Sequence, residues 1–306
     1  MSSPAPGDGA PQQQGDRLER MSLAFARVPF QAKVAVVWLV IFAVLASFFW
    51  VAKFDLAWMQ DKFTFILAGL RYTLVTAVLG IILAVLLAGI GALGRISRNP
   101  IAYGVSGFYV SFFRGTPLIV QMFLIYSALP QVGSNLEERF PGLGQGFNEN
   151  FVLTALVAGI LALGLNYGAY LTEIFRAGIQ SVSGGQGEAA DALGMTYGQK
   201  MRKVVLPQAF RVSIPPTGNE FIAMMKDTAL VSFLGVALAQ AEMFRRASYI
   251  GTSEFKSMEA LLVAAGLYWT LTGIFTFFQR RLEARLERGY VRTAVGNGPT
   301  VTGQGH

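Results

Sequence analysis

Cysteine is absent from the 306 residues, and the single histidine is the last of them, His306. The first absence excludes disulfides, thiolate metal sites and a cysteine nucleophile, and the second removes imidazole chemistry from any folded site. Charge is also scarce, because only 14% of the residues are Asp, Glu, Lys or Arg, against about 25% in soluble domains. No G-x-x-x-x-G-K-[ST] phosphate loop occurs, so nothing in the chain is built to cradle a nucleotide triphosphate. Hydrophobic residues make up 53% of the chain and mean hydropathy is +0.46, which places it in a membrane. A net charge of +7 does not indicate nucleic acid, since the basic residues stand at the ends of apolar runs, as topology determinants do.

The organisation follows from the long apolar runs. Residues 1–30, rich in Pro, Gly, Gln and Ser at their start, read as a disordered cytoplasmic tail. The run beginning near Val34 lacks a following A-x-A cleavage pattern and reads as a retained span. Residues 31–60 then hold the first transmembrane helix and an outer loop, 61–288 the main membrane domain, and 289–306 a flexible cytoplasmic tail. A crossing helix needs roughly 20 apolar residues. Six candidates meet that need: Val34–Ala52, Tyr72–Leu93, a broken stretch Ile101–Pro130, Phe151–Leu171, Ile214–Leu238 and Met258–Phe278. In the broken stretch, Thr116 is expected as an N-cap with Pro117 in the first helical position. It would begin a short span ending at Leu129, with 131–150 a solvated outer loop.

Orientation follows from Lys and Arg. With the N-terminus inside, sixteen of the 25 fall on inner segments: Arg17, Arg20, Arg27, Lys33, Arg95, Arg98, Arg176, Lys200, Arg202, Lys203, Arg211, Arg280, Arg281, Arg285, Arg288 and Arg292. Six fall outside: Lys53, Lys62, Arg139, Arg245, Arg246 and Lys256. The excess puts both termini in the cytoplasm.

The same assignment makes residues 183–207 cytoplasmic. Ser183-Gly-Gly-Gln186 and Thr196-Tyr-Gly-Gln199 both have the form of a capping box. They predict two short helices hinged at Gly194, which suits a left-handed C-terminal cap, with Pro207 marking the turn into the next span. Ala189, Ala190 and Ala192 give the first helix a small-sided surface that a partner can approach closely. On composition alone, an amphipathic connector lying on the headgroups is the competing reading.

Here a family resemblance becomes specific. Glu188-Ala189-Ala190, Gly194, and then Leu206-Pro207 resemble the EAA loop of permease subunits of ATP-binding cassette importers. Val204 stands where that pattern usually has Ile. FRGTPLIVQMFLIY at 113–126, NYGAYLTEIFRAGIQSV at 166–182 and NEFIAMMKDTALVSFLGV at 219–236 are similar to the polar amino acid branch. The resemblance implies an all-α integral membrane fold of the type I importer kind, with about six transmembrane helices and cytoplasmic coupling helices. It implies a permease for a polar amino acid, driven through Glu188, Ala189, Ala190, Gly194, Leu206 and Pro207 by a cytoplasmic ATPase dimer. Hydrolysis and ATP binding would belong to that partner, so no cofactor is expected on this chain. A second permease subunit, an extracytoplasmic amino-acid-binding protein and membrane lipid complete the expected partners, in a bacterial cell membrane. The alternative from another class is an ion-coupled secondary transporter or channel needing no ATPase, which would show matching broken helices in two halves. A membrane enzyme is disfavoured because no nucleophile-and-base set is recognisable.

Polar groups inside spans are expensive and are the default candidates for function. Asn166, Tyr170 and Glu173 are spaced four and three apart and share one helix face. Asn166 is expected about 22 Å along a helix starting at Phe151, at 1.5 Å per residue. Arg114 and Gln121 in the broken stretch, and Lys226-Asp227-Thr228 in the fifth span, complete the expected translocation pathway. Each has a structural counter-reading, such as an ion pair of Glu173 with Arg176 or a buried network around Lys226 and Asp227.

Overall fold

The computed structural model describes residues 29–182 and 184–286, and every regular element among them is helical. The expected tails and Ser183, with its capping box, lie outside the described residues. The chain divides into two units, Met1–Leu56 and Ala57–His306. In the first, α1 (Phe30–Ala52) is apolar all round and buries none of its residues. Its 23 residues reach about 34 Å at 1.5 Å per residue, enough for a hydrocarbon core of about 30 Å.

The second unit is built on α2 (Leu56–Leu67), α3 (Leu70–Ile96), α4 (Pro100–Gly115), α5 (Leu118–Arg139), α6 (Leu143–Phe151) and α7 (Ala155–Gln180). There follow α8 (Gly184–Ala192), α9 (Tyr197–Lys200), a π-helical turn Met201–Val205, and α10 (Leu206–Asp227). Two 3₁₀ segments, Thr228–Leu234 and Leu238–Gln240, lead to α11 (Met243–Ser253) and α12 (Ser257–Leu286).

The central contact is α3 against α7. The buried face of α3 is Thr73, Thr76, Ala77, Gly80, Ala84, Ala88, Gly91 and Ala92, and the buried small residues of α7 include Ala158, Ala162, Gly164 and Gly168. Lipid tails are as apolar as leucine, so close backbone approach and van der Waals contact must hold such helices together. At Gly164 the approach leaves no room for a side chain, because a Cβ there would stand 2.9 Å from the Cβ of Leu83 on α3. Around this contact Met122, Leu163, Tyr167, Leu171, Met224 and Val231 form one core. Ile66, Met225, Met243, Ala247, Val263 and Leu271 form a second, where α2, α11 and α12 pack.

Among the described residues four helical runs are long and apolar enough to cross a membrane, and α4 with α5, bent by 109°, makes a fifth as a broken pair. The fifth expected span, Ile214–Leu238, does not form as one helix. Its helix starts eight residues earlier and stops at Asp227, and Gly235 at φ +77° turns the chain after the 3₁₀ segment. Two hydroxyls draw on local carbonyls there, Thr228 Oγ1 donating to Met225 O and Ser232 Oγ to Ala229 O, at 2.8 and 2.7 Å. Such bonds compete with the helical ladder.

Three other boundaries differ from expectation. The fourth span starts at Ala155 because Thr154 Oγ1 accepts from Val157 N, so Asn166 lies about 16 Å along, near mid-helix. Residues 131–150 are largely helical. α5 runs through Pro130, and the Glu137 carboxylate accepts from Gly142 N and Gln145 N at 2.9 and 2.8 Å, capping the start of α6. Pro207 marks no turn, since the backbone from Tyr197 to Asp227 is helical without a break. The π turn absorbs the proline, with Leu206 N donating to Met201 O and no amide hydrogen needed at the next residue.

Candidate functional site

α4 ends at Gly115, and a helix end leaves its last carbonyls without partners. Here side chains supply them. Thr116 Oγ1 donates to Phe112 O at 2.8 Å. Phe113 O accepts from both Gln121 Nε2 and Asn166 Nδ2, each at 2.9 Å. Gln121 Nε2 also reaches Thr116 O at 3.0 Å and Thr116 Oγ1 at 2.7 Å. Thr116 therefore does not cap α5 as expected; its hydroxyl faces back and helps close α4. The 109° bend is a satisfied joint held by amides from α5 and α7.

Beneath the joint lies a cavity of about 250 Å³ lined by Thr116, Pro117, Leu118, Asn166, Tyr167, Tyr170, Glu220 and Asp227. Both Asn166 amide hydrogens are used, by Phe113 O and by Gln121 Oε1 at 3.0 Å, which leaves Asn166 Oδ1 as an acceptor. Tyr167 OH donates to Asp227 Oδ2 at 2.7 Å. Glu220, two turns before Asp227 on the same face of α10, is half-buried in the same lining. The guanidinium of Arg114 stacks on the ring of Tyr170, 5.1 Å from its centroid. The lining is thus rich in acceptors and carboxylates, with one cation at Tyr170.

Of the residues expected to form the pathway, Asn166, Tyr170 and Asp227 line the cavity, and Arg114 touches it through Tyr170. Gln121 is 2% exposed and spends its amide on the joint. Thr228 is buried and bonded to Met225 O, and Lys226 is exposed at the end of α10 and lines no part of the cavity. Glu173 is clamped by Arg176 at 2.6 Å and Arg95 at 3.2 Å, which ties α7 to α3. Glu220 and Tyr167 did not figure in the expected pathway. The rule that marks any intramembrane carboxylate points to Glu220, whereas nothing in the sequence marks Tyr167 apart from its neighbours.

A second candidate surface is the loop from Gly184 to Pro207. α8 ends in a Schellman turn. Gly194 takes φ +72°, its N–H donates to Asp191 O at 2.9 Å, and Met195 N donates to Ala190 O at 3.1 Å. Two residues on, Thr196 and Gln199 form a complete capping box. Lys200 Nζ pairs with Asp191 at 2.8 Å across the hinge, and Gln208 Nε2 bonds Gln186 Oε1. Glu188, Ala189, Gly194 and Pro207 are exposed, and Leu206 is partly so. Ala190 is buried and faces its own chain, so it offers no surface for close approach. The large apolar side chains on show are instead Leu193, 76% exposed, and Tyr197, 67% exposed.

Comparison with known proteins gives the same picture from another side. A family described as "binding-protein-dependent transport system inner membrane component" matches residues 80–288. The probable amino-acid permease protein YxeN of Bacillus subtilis is 39% identical over 236 residues, which cover 77% of this chain and 97% of that protein. The arginine transport system permease protein ArgU of Corynebacterium glutamicum is 40% identical over 222 residues, 72% of this chain and 68% of its own length. Among solved structures, an amino acid ABC transporter with histidines superposes with a TM-score of 0.66 at 35% identity, over 76% of this chain and 98% of that one. The MetNI methionine ABC transporter in an inward facing conformation, at 18% identity and a TM-score of 0.53, over 75% of this chain and 96% of its own, shares the fold.

Proposed function

Because the chain belongs to the family of binding-protein-dependent transport system inner membrane components, we propose that it is the permease subunit of an ABC importer for amino acids, its cargo passing the cavity beneath the α4–α5 joint. The carrying observation is the pairing of carboxylates Glu220 and Asp227 with acceptor Asn166 Oδ1 in that cavity. An α-ammonium group is met by those acceptors, and an α-carboxylate by Arg114 over Tyr170. A volume of about 250 Å³ lies below the roughly 300–1,000 Å³ of pockets for drug-sized ligands, which suits a solute of few heavy atoms.

The Lys and Arg distribution supports both termini, and with them the 184–207 loop, on the cytoplasmic side. There the exposed Glu188, Ala189, Gly194 and Pro207, with Leu193 and Tyr197 beside them, form the surface that a partner ATPase grips. ATP is bound and hydrolysed by that partner. The continuous helical run from Tyr197 to Asp227 then joins the grip to the cavity wall without a flexible link. A second permease subunit closes the pathway, and an extracytoplasmic binding protein delivers the amino acid.

The test is amino acid uptake into proteoliposomes holding the complete complex. Asp227→Asn and Glu220→Gln each remove one charge and keep the shape. Uptake is expected to fall by roughly tenfold or more, the scale of a lost charged hydrogen bond, with the melting temperature close to that of the unaltered protein. Unchanged uptake in both variants would overturn the assignment of the cavity.

A further inference from the structure

α11 ends at Ser253, and the residue that turns the chain beyond it is Phe255, with φ +56°. Lys256 N donates to Gly251 O at 2.8 Å, the closing bond of a Schellman turn. That position favours glycine because a Cβ in the left-handed region crowds the following carbonyl. A bulky aromatic residue there destabilises the turn, and the ring, 95% exposed, makes no contact that offsets the cost. Strain of this kind persists where the side chain is wanted for something else.

The flanking residues brace the turn itself. Trp58 Nε1 donates to the Glu254 carboxylate at 2.6 Å, and Lys62 Nζ pairs with Glu254 at 3.2 Å and with Asp61 at 3.0 Å. On the other flank Lys256 faces Glu259 at 3.8 Å. The result is a fully presented aromatic side chain on a braced turn, inside a rim of mixed charge, the arrangement of an anchor residue in a protein–protein contact. Acidic groups beside it disfavour seating against anionic lipid headgroups. The turn also lies at the far end of the domain from the 184–207 loop. Gln279 near the end of α12 bonds Pro215 O and Asn219 Oδ1 about midway along α10, and Phe275 packs on Phe221, so α12 runs antiparallel to α10 and its start lies away from the start of α10.

We propose that Phe255 is the anchor by which this chain holds the binding protein that its family description requires. The proposal rests on the importer reading and its orientation, which put this turn on the extracytoplasmic face. The partner's matching feature is an apolar pocket with a charged edge.

The experiment titrates the amino-acid-loaded binding protein of the transport system against ATP hydrolysis by the complete complex in lipid nanodiscs. The titration is run for unaltered protein, Phe255→Ala, Phe255→Gly and Phe255→Trp. For the alanine and glycine variants the half-saturating concentration is expected to rise roughly tenfold or more, as for an interface hot spot. Hydrolysis without binding protein should stay unchanged, and Phe255→Trp should restore the titration to near that of the unaltered protein. Phe255→Gly should melt at or above the unaltered protein, which separates a lost contact from a damaged fold. Unaltered titrations for alanine and glycine would overturn the proposal, as would a defect that follows lipid composition and leaves the response to binding protein intact. If the unaltered complex ignores the binding protein altogether, the importer reading itself falls, a result distinct from either of these.

Discussion

Two helices of the second unit close with the same backbone turn and opposite residues. α8 ends at Gly194, φ +72°, with Met195 N on Ala190 O; α11 ends at Phe255, φ +56°, with Lys256 N on Gly251 O. No heavy atom lies within 4 Å of where a Cβ on Gly194 would stand, so the dihedral alone asks for glycine there. At the first turn the exposed apolar surface belongs to the neighbours, Leu193 and Tyr197, and the turning residue only shapes the chain. At the second the turning residue carries the surface itself. The first arrangement follows backbone preference and the second sets it aside for a side chain.

Placing phenylalanine at 194 breaks the comparison most severely. Gly194→Phe imposes about 1–2 kcal/mol of left-handed strain on an exposed hinge, so the chain should still fold and reach the membrane. The Asp191–Lys200 pair and the Ala190–Met195 bond fix the angle between α8 and α9, and that angle is what the strain disturbs. Uptake is expected to drop roughly 5–150-fold, the range of a lost coupling energy, while ATP hydrolysis by the partner continues. Uptake and hydrolysis measured on the same proteoliposomes separate the two, and tight coupling in the variant would remove the hinge from the mechanism.

A third helix end sharpens the contrast, because α4 closes with side chains where the other two use backbone. Gln121→Leu removes the amide that bonds Phe113 O, Thr116 O and Thr116 Oγ1, and leaves Asn166 with one partner fewer. Unpaired buried polar groups cost about 1–3 kcal/mol, so thermal unfolding in detergent should show a clear fall. Gly194 and Phe255 variants should show little. A Gln121→Leu variant as stable as the unaltered protein would mean that the joint relaxes by another route.

How far the sequence reveals these features depends on how local their causes are. The capping box at Thr196 and the left-handed Gly194 follow from residues within five positions, and both stand in the structure as read. Membrane residence follows from composition, and the long apolar runs of α1, α3, α7 and α12 follow from length. What the sequence hides is set by distant partners. Thr116 reads as an N-cap until Gln121 and Phe112 are seen to claim its hydroxyl. Ala190 reads as a partner surface until α8 folds onto the π turn and buries it. Tyr167 gains its meaning from Asp227, sixty residues away. Phe255 is hidden for another reason, since a helix end without glycine or asparagine carries no sequence signal of a left-handed turn.

The smallest expected effect tests how the Phe255 turn is braced. The Trp58 indole N–H, and after it Lys62, hold the Glu254 carboxyl below the ordinary carboxylate range. A carboxylate with a lowered value adds stability above its unfolded value, and that stability is lost as pH falls through the folded one. Trp58→Phe removes the larger cause, so the folded value of Glu254 moves back up toward the ordinary range. At neutral pH the variant should melt slightly below the unaltered protein, and the gap should close on acidification as Glu254 becomes protonated in both. The carboxyl is exposed to solvent, so the difference will be small, but its disappearance at low pH is specific to this bond. The response to binding protein should shift the same way, with the unaltered complex at acidic pH resembling Trp58→Phe at neutral pH. A melting difference that persists unchanged into the acid range would mean that Trp58 acts through packing alone, and that Glu254 does not brace the turn.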